Sequence, residues 1–503
     1  MKAFLRRKQL QPGRLGRPVI VFGTVAGALV LAAVAPLSGA GAATSGAPNP
    51  AVVGRWSKAF NPGSNAVGIS ATLLHTGQVM IMGDEQFRKT TVTSAYLYNP
   101  AANRIRKVIT PDEVFCGGMI TLADGRMLTI GGTGAKIPIG LKANYLFNPT
   151  TLKWTRQPDT PLGRYYPTIA ELPRGRVLIV AGTEADGLTP NPTVEVYTPP
   201  AAGKAVGTIK NVGPDHTTGF YPKLFVMPDG KVLDVKGQSS ARWDPTNWKF
   251  MGRLPQSAGP GAAGIFLPGG PLGSNRVLSV GGLLHGKAVA ATERFDYTNP
   301  TAGWRLGHPM PQPRAHMNLV QVANGSAYGI GGNSVGLYGA GQRRTLRYNP
   351  KTDTWRGLAV QSVRRAYHST AVLLPDGRIL SAGDTGVGGG GALLDIYSPP
   401  YLFRGPRPVI HAAPAHVRYR AKFKIAATGR GMSQVVLMAP GSTTHAVEMQ
   451  ARRVVLRVTR TAHGFVATAP PSAGVAPPGY YMLVVVTKGG VPSKAHWIHV
   501  GRR

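Results

Sequence analysis

Five side chains capable of redox or metal chemistry recur at one spacing in this chain. Nine positions before a glycine in a hairpin-type turn stand Cys116 (from Gly125), Tyr166 (Gly175), Tyr221 (Gly230), His316 (Gly325) and His368 (Gly377). If those turns are equivalent, a thiol, two phenols and two imidazoles sit at one height around a common point. Imidazole nitrogens and phenolate oxygens suit copper better than calcium or magnesium, and copper(II) favours a tetragonal set of such donors. Spacing alone leaves the metal open. Any one of these residues, or Tyr367 beside His368, reads equally well as an aromatic plug or a satisfied polar group. All of them together do not.

The elements that must carry this ring are repeated hairpins. An apolar run, a turn with glycine, a second apolar run and small residues return seven times. Examples are Met119–Gly132 (MITLADGRMLTIGG), Ile169–Gly182 (IAELPRGRVLIVAG) and Ala371–Gly383 (AVLLPDGRILSAG). Asp-Gly or Asn-Gly between apolar runs marks a β-hairpin. Most units continue into a strand ending in an aromatic and Asn-Pro, as at Tyr98-Asn99-Pro100 and Tyr348-Asn349-Pro350. Several then carry a tryptophan in an outer strand: Trp154, Trp248, Trp304 and Trp355. A period of roughly 50 residues is kelch-like. The expectation is an all-β fold, with a seven-bladed kelch-type β-propeller over residues 50–401. After Tyr401 the period stops, and 402–503 reads as a small Ig-like β-sandwich.

Length and composition agree with a large domain plus a smaller one. The chain has 503 residues, 43% hydrophobic and 16% charged, a folded rather than a disordered balance. The net charge of +36 would suit nucleic acid. The basic residues are scattered, however, and no nucleic-acid motif appears. An anionic cell wall or membrane surface is the partner that fits export, and an arginine-rich bias without a partner fits equally well. Residues 1–42 read as a signal peptide or membrane anchor. Lys2, Arg6, Arg7, Lys8, Arg14 and Arg17 precede an apolar run from Val19 to Leu37, and Ala40-Gly41-Ala42 offers a cleavage site. Either way the body of the protein faces outside the cytoplasm. A single cysteine in such a protein excludes an internal disulfide.

The motifs are more specific than the spacing. Phe115-Cys116-Gly117-Gly118, Arg164-Tyr165-Tyr166-Pro167, Arg365-Ala366-Tyr367-His368-Ser369 with Leu373–Arg378, and Thr443-Thr444-His445-Ala446-Val447 occur in this order. With the closing Pro477–Leu483 and Gly490–Ser493, the chain resembles the galactose oxidase and glyoxal oxidase family of copper radical oxidases over nearly its whole length after residue 42. The resemblance implies a thioether between Cys116 and Tyr166, making a modified phenol that is both ligand and one-electron redox centre. It implies Tyr367 as axial phenolate and proton acceptor, and His368 and His445 as imidazole ligands, with His445 delivered by the C-terminal domain. Tyr221 and His316 take supporting places around the metal. Cys116 and Tyr166, equivalent in adjacent blades, are expected to touch. Period-two alternation turns Tyr165 to the opposite face of its strand.

The implied reaction oxidises a primary alcohol or small aldehyde, or a glycan terminus, with dioxygen and releases hydrogen peroxide. No nicotinamide or flavin is needed, and the Gly-rich stretches Gly131–Gly134 and Gly336–Gly341 lack a strand-to-helix context for a nucleotide. One departure stands out. Galactose oxidase stacks a tryptophan over its cross-linked pair, and the corresponding position here is Glu184. Two other readings stay open: a non-catalytic propeller binding glycan or wall polymer, and a copper protein without radical chemistry.

Overall fold

The computed structural model describes residues 48–63, 65, 67–83, 94–134, 140–216, 219–245, 247–256, 259–384 and 389–502. The signal or anchor expected over 1–42 lies outside them. Among the described residues no helix is long and apolar enough to cross a membrane. The all-β fold expected from the repeat is the fold observed.

Each repeat unit folds as an antiparallel meander. Strands Gly118–Thr121 and Met127–Ile130 show the local logic. Both are mostly apolar, with one threonine each, and buried throughout, and they close over a turn in which Gly125 takes φ +85°. The Arg126 amide donates to the Asp124 carboxylate at 3.0 Å, so the Asp-Gly pair fixes the turn by its own side chain. The third strand, Asn144–Asn148, is still largely buried, and the fourth, Lys153–Gln157, is mostly half-exposed and polar. Burial thus falls from the first strand to the last. The tryptophans cover the outer edge: Trp154 packs on Phe147 (4.8 Å between ring centres) and Trp355 on Tyr348 (4.9 Å).

Among the described residues seven sheets contain such a four-strand unit. Their innermost strands, Ser70–Leu73, Gly118–Thr121, Thr168–Glu171, Lys223–Val226, Ala262–Phe266, Ala315–Gln321 and Ser369–Leu373, touch one another in that order, and the last touches the first. The circle is therefore closed. Its closing sheet is composite: Arg55–Trp56 adds as the outermost strand to Asp395–Ser398, pairing Arg55 with Ser398. This ties the start of the described chain to a strand more than 300 positions later.

Beyond Phe403 two further sheets share one apolar core that includes Val435, Leu437, Phe465, Leu483, Val485 and Ile498. From this part a hairpin, Ser442–Thr444 with Val447–Glu448, runs into the circle and pairs with the innermost strand Ser70–Leu73, setting Thr444 opposite Ser70. It is fastened by polar groups: Thr72 and Ser442 hydroxyls at 2.7 Å, and the Ser442 hydroxyl donating to the Met119 carbonyl at 2.6 Å. The Glu448 carboxylate accepts the amides of Ser442, Gln450 and Ala451 at 2.7, 3.0 and 3.1 Å. Buried backbone inside a channel needs such partners.

Candidate metal centre

The ring read from the spacing exists, and its backbone explains it. Cys116, Tyr166, Tyr221, His316 and His368 all have positive φ, at 60°, 66°, 44°, 59° and 63°. A left-handed residue costs about 1–2 kcal/mol without glycine, and clusters of such residues mark functional sites. Here each one lies at or just before the start of an innermost strand. Its reversal turns both amide and side chain toward the channel. The Tyr166 amide donates to the Cys116 carbonyl (3.0 Å) and the Tyr221 amide to the Tyr166 carbonyl (3.0 Å), so consecutive members are linked from sheet to sheet.

Three buried arginines hold members of the ring in register. Arg164, two residues before Tyr166, donates to the carbonyls of Ala181 (2.5 Å) and Thr193 (2.7 Å) and pairs with Glu195, both side chains fully buried. Arg314, two before His316, donates to Gly331 (2.6 Å) and Arg344 (2.8 Å) carbonyls. Arg365, three before His368, donates to the Gly383 carbonyl, to Leu393 (2.8 Å) and to Asp395 (3.0 Å). Each clamps the entry to its own sheet onto the ends of the second and third strands. The sequence reading missed this role, although Arg164 and Arg365 stand inside the motifs that carried the resemblance.

His445 reaches the ring from 329 positions away. It and Ala446 form the two-residue turn of the invading hairpin, with φ of 50° and 67°. Positive φ at both positions is the type I′ pattern that normally selects Asn-Gly. His-Ala in that place is strained, and the strain presents an imidazole at the tip. The tautomer follows from the hydrogen bonds. Thr444 donates its only hydroxyl hydrogen to the Ile69 carbonyl (2.9 Å), so at 2.7 Å it accepts the proton on His445 Nδ1. Nε2 is left as a free electron pair, 3.9 Å from Cys116 Sγ.

The donor atoms converge. Tyr166 and Tyr367 hydroxyls lie 2.8 Å apart, and Tyr166 is 3.5 Å from His368 Nε2. Donor atoms of Cys116, His368 and His445 all lie within 4.8 Å of one another. Burial holds His368 down at about 3 and His445 well below the usual imidazole range, so both are neutral and able to ligate. Burial pushes Tyr166 and Tyr367 upward, the Cys116 thiol and neighbouring phenols add to the rise, and the hydrogen bond with Tyr166 offsets part of it at Tyr367. Two close phenols that resist ionisation beside two neutral imidazoles lack a cation. A divalent transition metal fits that donor set.

Tyr165 departs from expectation. Alternation was to turn it to the opposite face, yet its ring stacks on Tyr166 at 4.0 Å and 23°. The left-handed turn at Tyr166 breaks the alternation, just as the one at His368 sets Tyr367 on His368 at 3.9 Å and 29°. Tyr221 also stacks on Tyr166, at 4.8 Å and 22°, and donates to the Gly117 carbonyl at 3.2 Å. His316 stands edge-on to Tyr367 at 4.9 Å, and among the described residues neither of its ring nitrogens has a partner. Burial holds it down at about 4. Glu184 is not drawn into the cluster. It follows Thr183, whose backbone pairs with Tyr165, and its own backbone spans a turn to Thr189; among the described residues its carboxylate makes no hydrogen bond to the ring. The aromatic cover over Tyr166 therefore comes from Tyr165 and Tyr221 rather than from the Glu184 position.

Comparison with known proteins finds oxidases similar over most of this chain. Residues 407–500 match the family described as Galactose oxidase-like, Early set domain. The chain is 28% identical over 470 residues to an aldehyde oxidase GLOX of Vitis pseudoreticulata, covering 83% of this chain and 87% of that one. It is 27% identical over 438 residues to a galactose oxidase of Gibberella zeae, covering 78% of this chain and 61% of that protein. In three dimensions it is similar, with a TM-score of 0.78 at 21% identity, to a fungal alcohol oxidase of the AA5 family in complex with copper. That likeness spans 90% of this chain and all of the other, and at this identity it speaks to the fold.

Proposed function

With aldehyde oxidase and galactose oxidase relatives along most of its length, this chain is, we propose, a copper-dependent oxidase that converts a primary alcohol or small aldehyde, with dioxygen, to aldehyde or acid and hydrogen peroxide. The observation that carries the reading is the convergence of the Tyr166 and Tyr367 oxygens (2.8 Å) with His368 Nε2 (3.5 Å) under the strained tip that holds His445.

Tyr166, Tyr367, His368 and His445 would hold the metal. Copper bound there, together with an oxidised phenol on Tyr166, supplies the two one-electron acceptors that a two-electron oxidation needs. Cys116 is the partner of Tyr166 in a thioether: a C–S bond replaces one S–H and one C–H bond, and dioxygen takes the two electrons and two protons. Tyr367, partly buried at the mouth, accepts the hydroxyl proton of the substrate. Tyr165 and Tyr221 shield the ring of Tyr166 from water by stacking. Thr444 fixes the His445 tautomer, and the arginine clamps keep Tyr166 and His368 from relaxing out of left-handed backbone. We further propose that the body of the protein works outside the cytoplasm. The basic segment from Lys2 to Arg17 and the apolar run that follows support this.

The test is the peptide mass around Cys116 after copper loading in air, with a copper-free control. A joined Cys116–Tyr166 species lighter by two hydrogens, accompanied by peroxide release from alcohols, is the expected result. Separate peptides with copper bound would leave a copper protein without radical chemistry. No copper bound would favour a glycan-binding protein and refute the proposal.

A further inference from the structure

The excess positive charge is uneven along the chain. Residues 401–503 hold 15 of the 57 lysines and arginines but only one of the 21 acids, Glu448. Glu448 belongs to the invading hairpin, where its carboxylate accepts three amides, so no acid remains for the rest of this part. The outward face of one sheet gathers the cations. Along Lys422–Thr428 burial alternates, with Phe423, Ile425 and Ala427 in the shared core and Lys422 and Lys424 exposed. Register sets Lys422 opposite Thr468 and Thr468 opposite Arg457, a row across three strands. Lys424 faces Val466 in the next row. Arg420 and Arg430 stand exposed just before and just after the strand. Among the described residues every ion pair lies at or before Asp395, so these five cations are unopposed.

Like charges on one face repel, and an anionic surface relieves the repulsion. The outward positions of these three strands carry no aromatic ring on which a sugar or a base could stack. The face is therefore matched to charge alone. Where the chain enters says which anionic surface lies near. The Arg404 guanidinium donates to the Ala51 carbonyl at 2.9 Å, the Tyr397 hydroxyl donates to the Val53 carbonyl at 2.7 Å, and Arg55 lies over the Phe403 ring at 5.4 Å. The described chain thus begins beside Arg404, five residues before Val409–Ala412, an edge strand of the basic sheet. Leu37, where the apolar run ends, and Pro48 are eleven positions apart. A chain of that length reaches at most about 40 Å.

Resting on the proposed place of the body outside the cytoplasm, we infer that the face of Lys422, Lys424 and Arg457 lies on the headgroups of an anionic phospholipid bilayer, the membrane in which the apolar run from Val19 to Leu37 is anchored. Each basic side chain held at such a surface adds to the attraction, and lipid phosphates take the place of counterions. The metal centre takes no part in this contact.

The full chain is bound to vesicles of phosphatidylcholine alone, or with roughly one-third phosphatidylglycerol, and its lysines are acetylated and read by peptide mass. Labelling of Lys422 and Lys424 should fall about tenfold on the anionic vesicles and not on the neutral ones. Lys153 and Lys249, on outer strands of two propeller sheets, should stay labelled on both. Salt at about 1 M should remove the protection, because the screening length falls to about 3 Å. Lys422→Glu with Arg457→Glu should restore labelling of Lys424 while unfolding like the unsubstituted protein, since both positions are exposed. Flotation with the neutral vesicles reads the anchor separately, so a failed anchor and a failed face are told apart. Full labelling of Lys422 and Lys424 on anionic vesicles, or equal protection on neutral ones, would overturn the inference. So would protection by soluble poly(glycerol phosphate) without protection by anionic vesicles, which would make the face a site for a wall polymer.

Discussion

Arg365→Met offers the sharpest test of how the centre is held. The guanidinium is wholly buried and donates to the Gly383 and Leu393 carbonyls and to Asp395, whose side chain is also fully buried. Methionine keeps most of the stem volume and removes the charge and all donors. Breaking a buried pair by removing one partner costs about 3–5 kcal/mol, and two orphaned carbonyls make the upper part of that range the expectation. Domains hold only about 5–15 kcal/mol in total, so the loss should be plain in urea unfolding. Tyr367 and His368 follow two and three residues later, so copper affinity should fall at least tenfold although Arg365 is no ligand. Replacing both partners, Arg365→Met with Asp395→Leu, should recover most of the stability, with a coupling of at least ~2 kcal/mol.

The pH dependence has a definite sign. Burial raises the Asp395 carboxyl above its ordinary value, against the pull of Arg365 and Gln361. A carboxyl raised in the folded state contributes stability at low pH that is lost as pH rises through its folded value. Without Arg365 the carboxyl rises further, so the deficit of Arg365→Met should be smaller at pH 5 than at pH 8. A single-variant loss under ~1 kcal/mol, strictly additive double-variant energies, or unchanged copper affinity would refute the clamp argument.

Three further outcomes are expected. His445→Ala should lose copper binding in titration while unfolding nearly like the unsubstituted protein, because the hairpin's fastening lies in Ser442 and Glu448 and the one bond lost leaves the Thr444 hydroxyl its Ile69 partner. Tyr367→Phe should retain copper and the thioether by mass but drop kcat about 10²-fold or more, the usual scale for a lost general base; unchanged kcat would move the proton acceptor elsewhere. Tyr165→Leu should leave the thioether intact yet destabilise the oxidised form by about 0.5–1.5 kcal/mol, the worth of one stacked pair, read as a raised phenol potential and a shorter-lived radical signal; an unchanged potential would deny the stack a redox role.

Much of the centre could be read from residues in line. The nine-position step from each turn glycine brought Cys116, Tyr166, Tyr221, His316 and His368 to one level because hairpins of one length repeat around a closed circle, so equal offsets become equal heights. What the step could not convey was backbone hand. Alternation in an extended strand would separate Tyr165 from Tyr166, but a left-handed residue turns the chain and brings their rings together. The same turn defeats any argument by period at Tyr367 and His368. Counting to the Glu184 position likewise located a place along the chain, not the ring that covers Tyr166.

By itself, then, the sequence determined the repeat, the all-β fold and five members of the ring, since these depend on local turn chemistry and on periodic burial. Only the tertiary structure decided what meets them. The motif around His445 implied its arrival from the C-terminal domain, and the structure added the means, a strained turn paired to Ser70–Leu73. The arginine clamps find acceptors 17 to 31 residues onward, and Phe220 and Tyr338 come to flank two phenols that lie 201 residues apart in the chain. Contacts of that range are set by how the sheets close on one another, a long-range packing outcome that no local pattern of residues encodes.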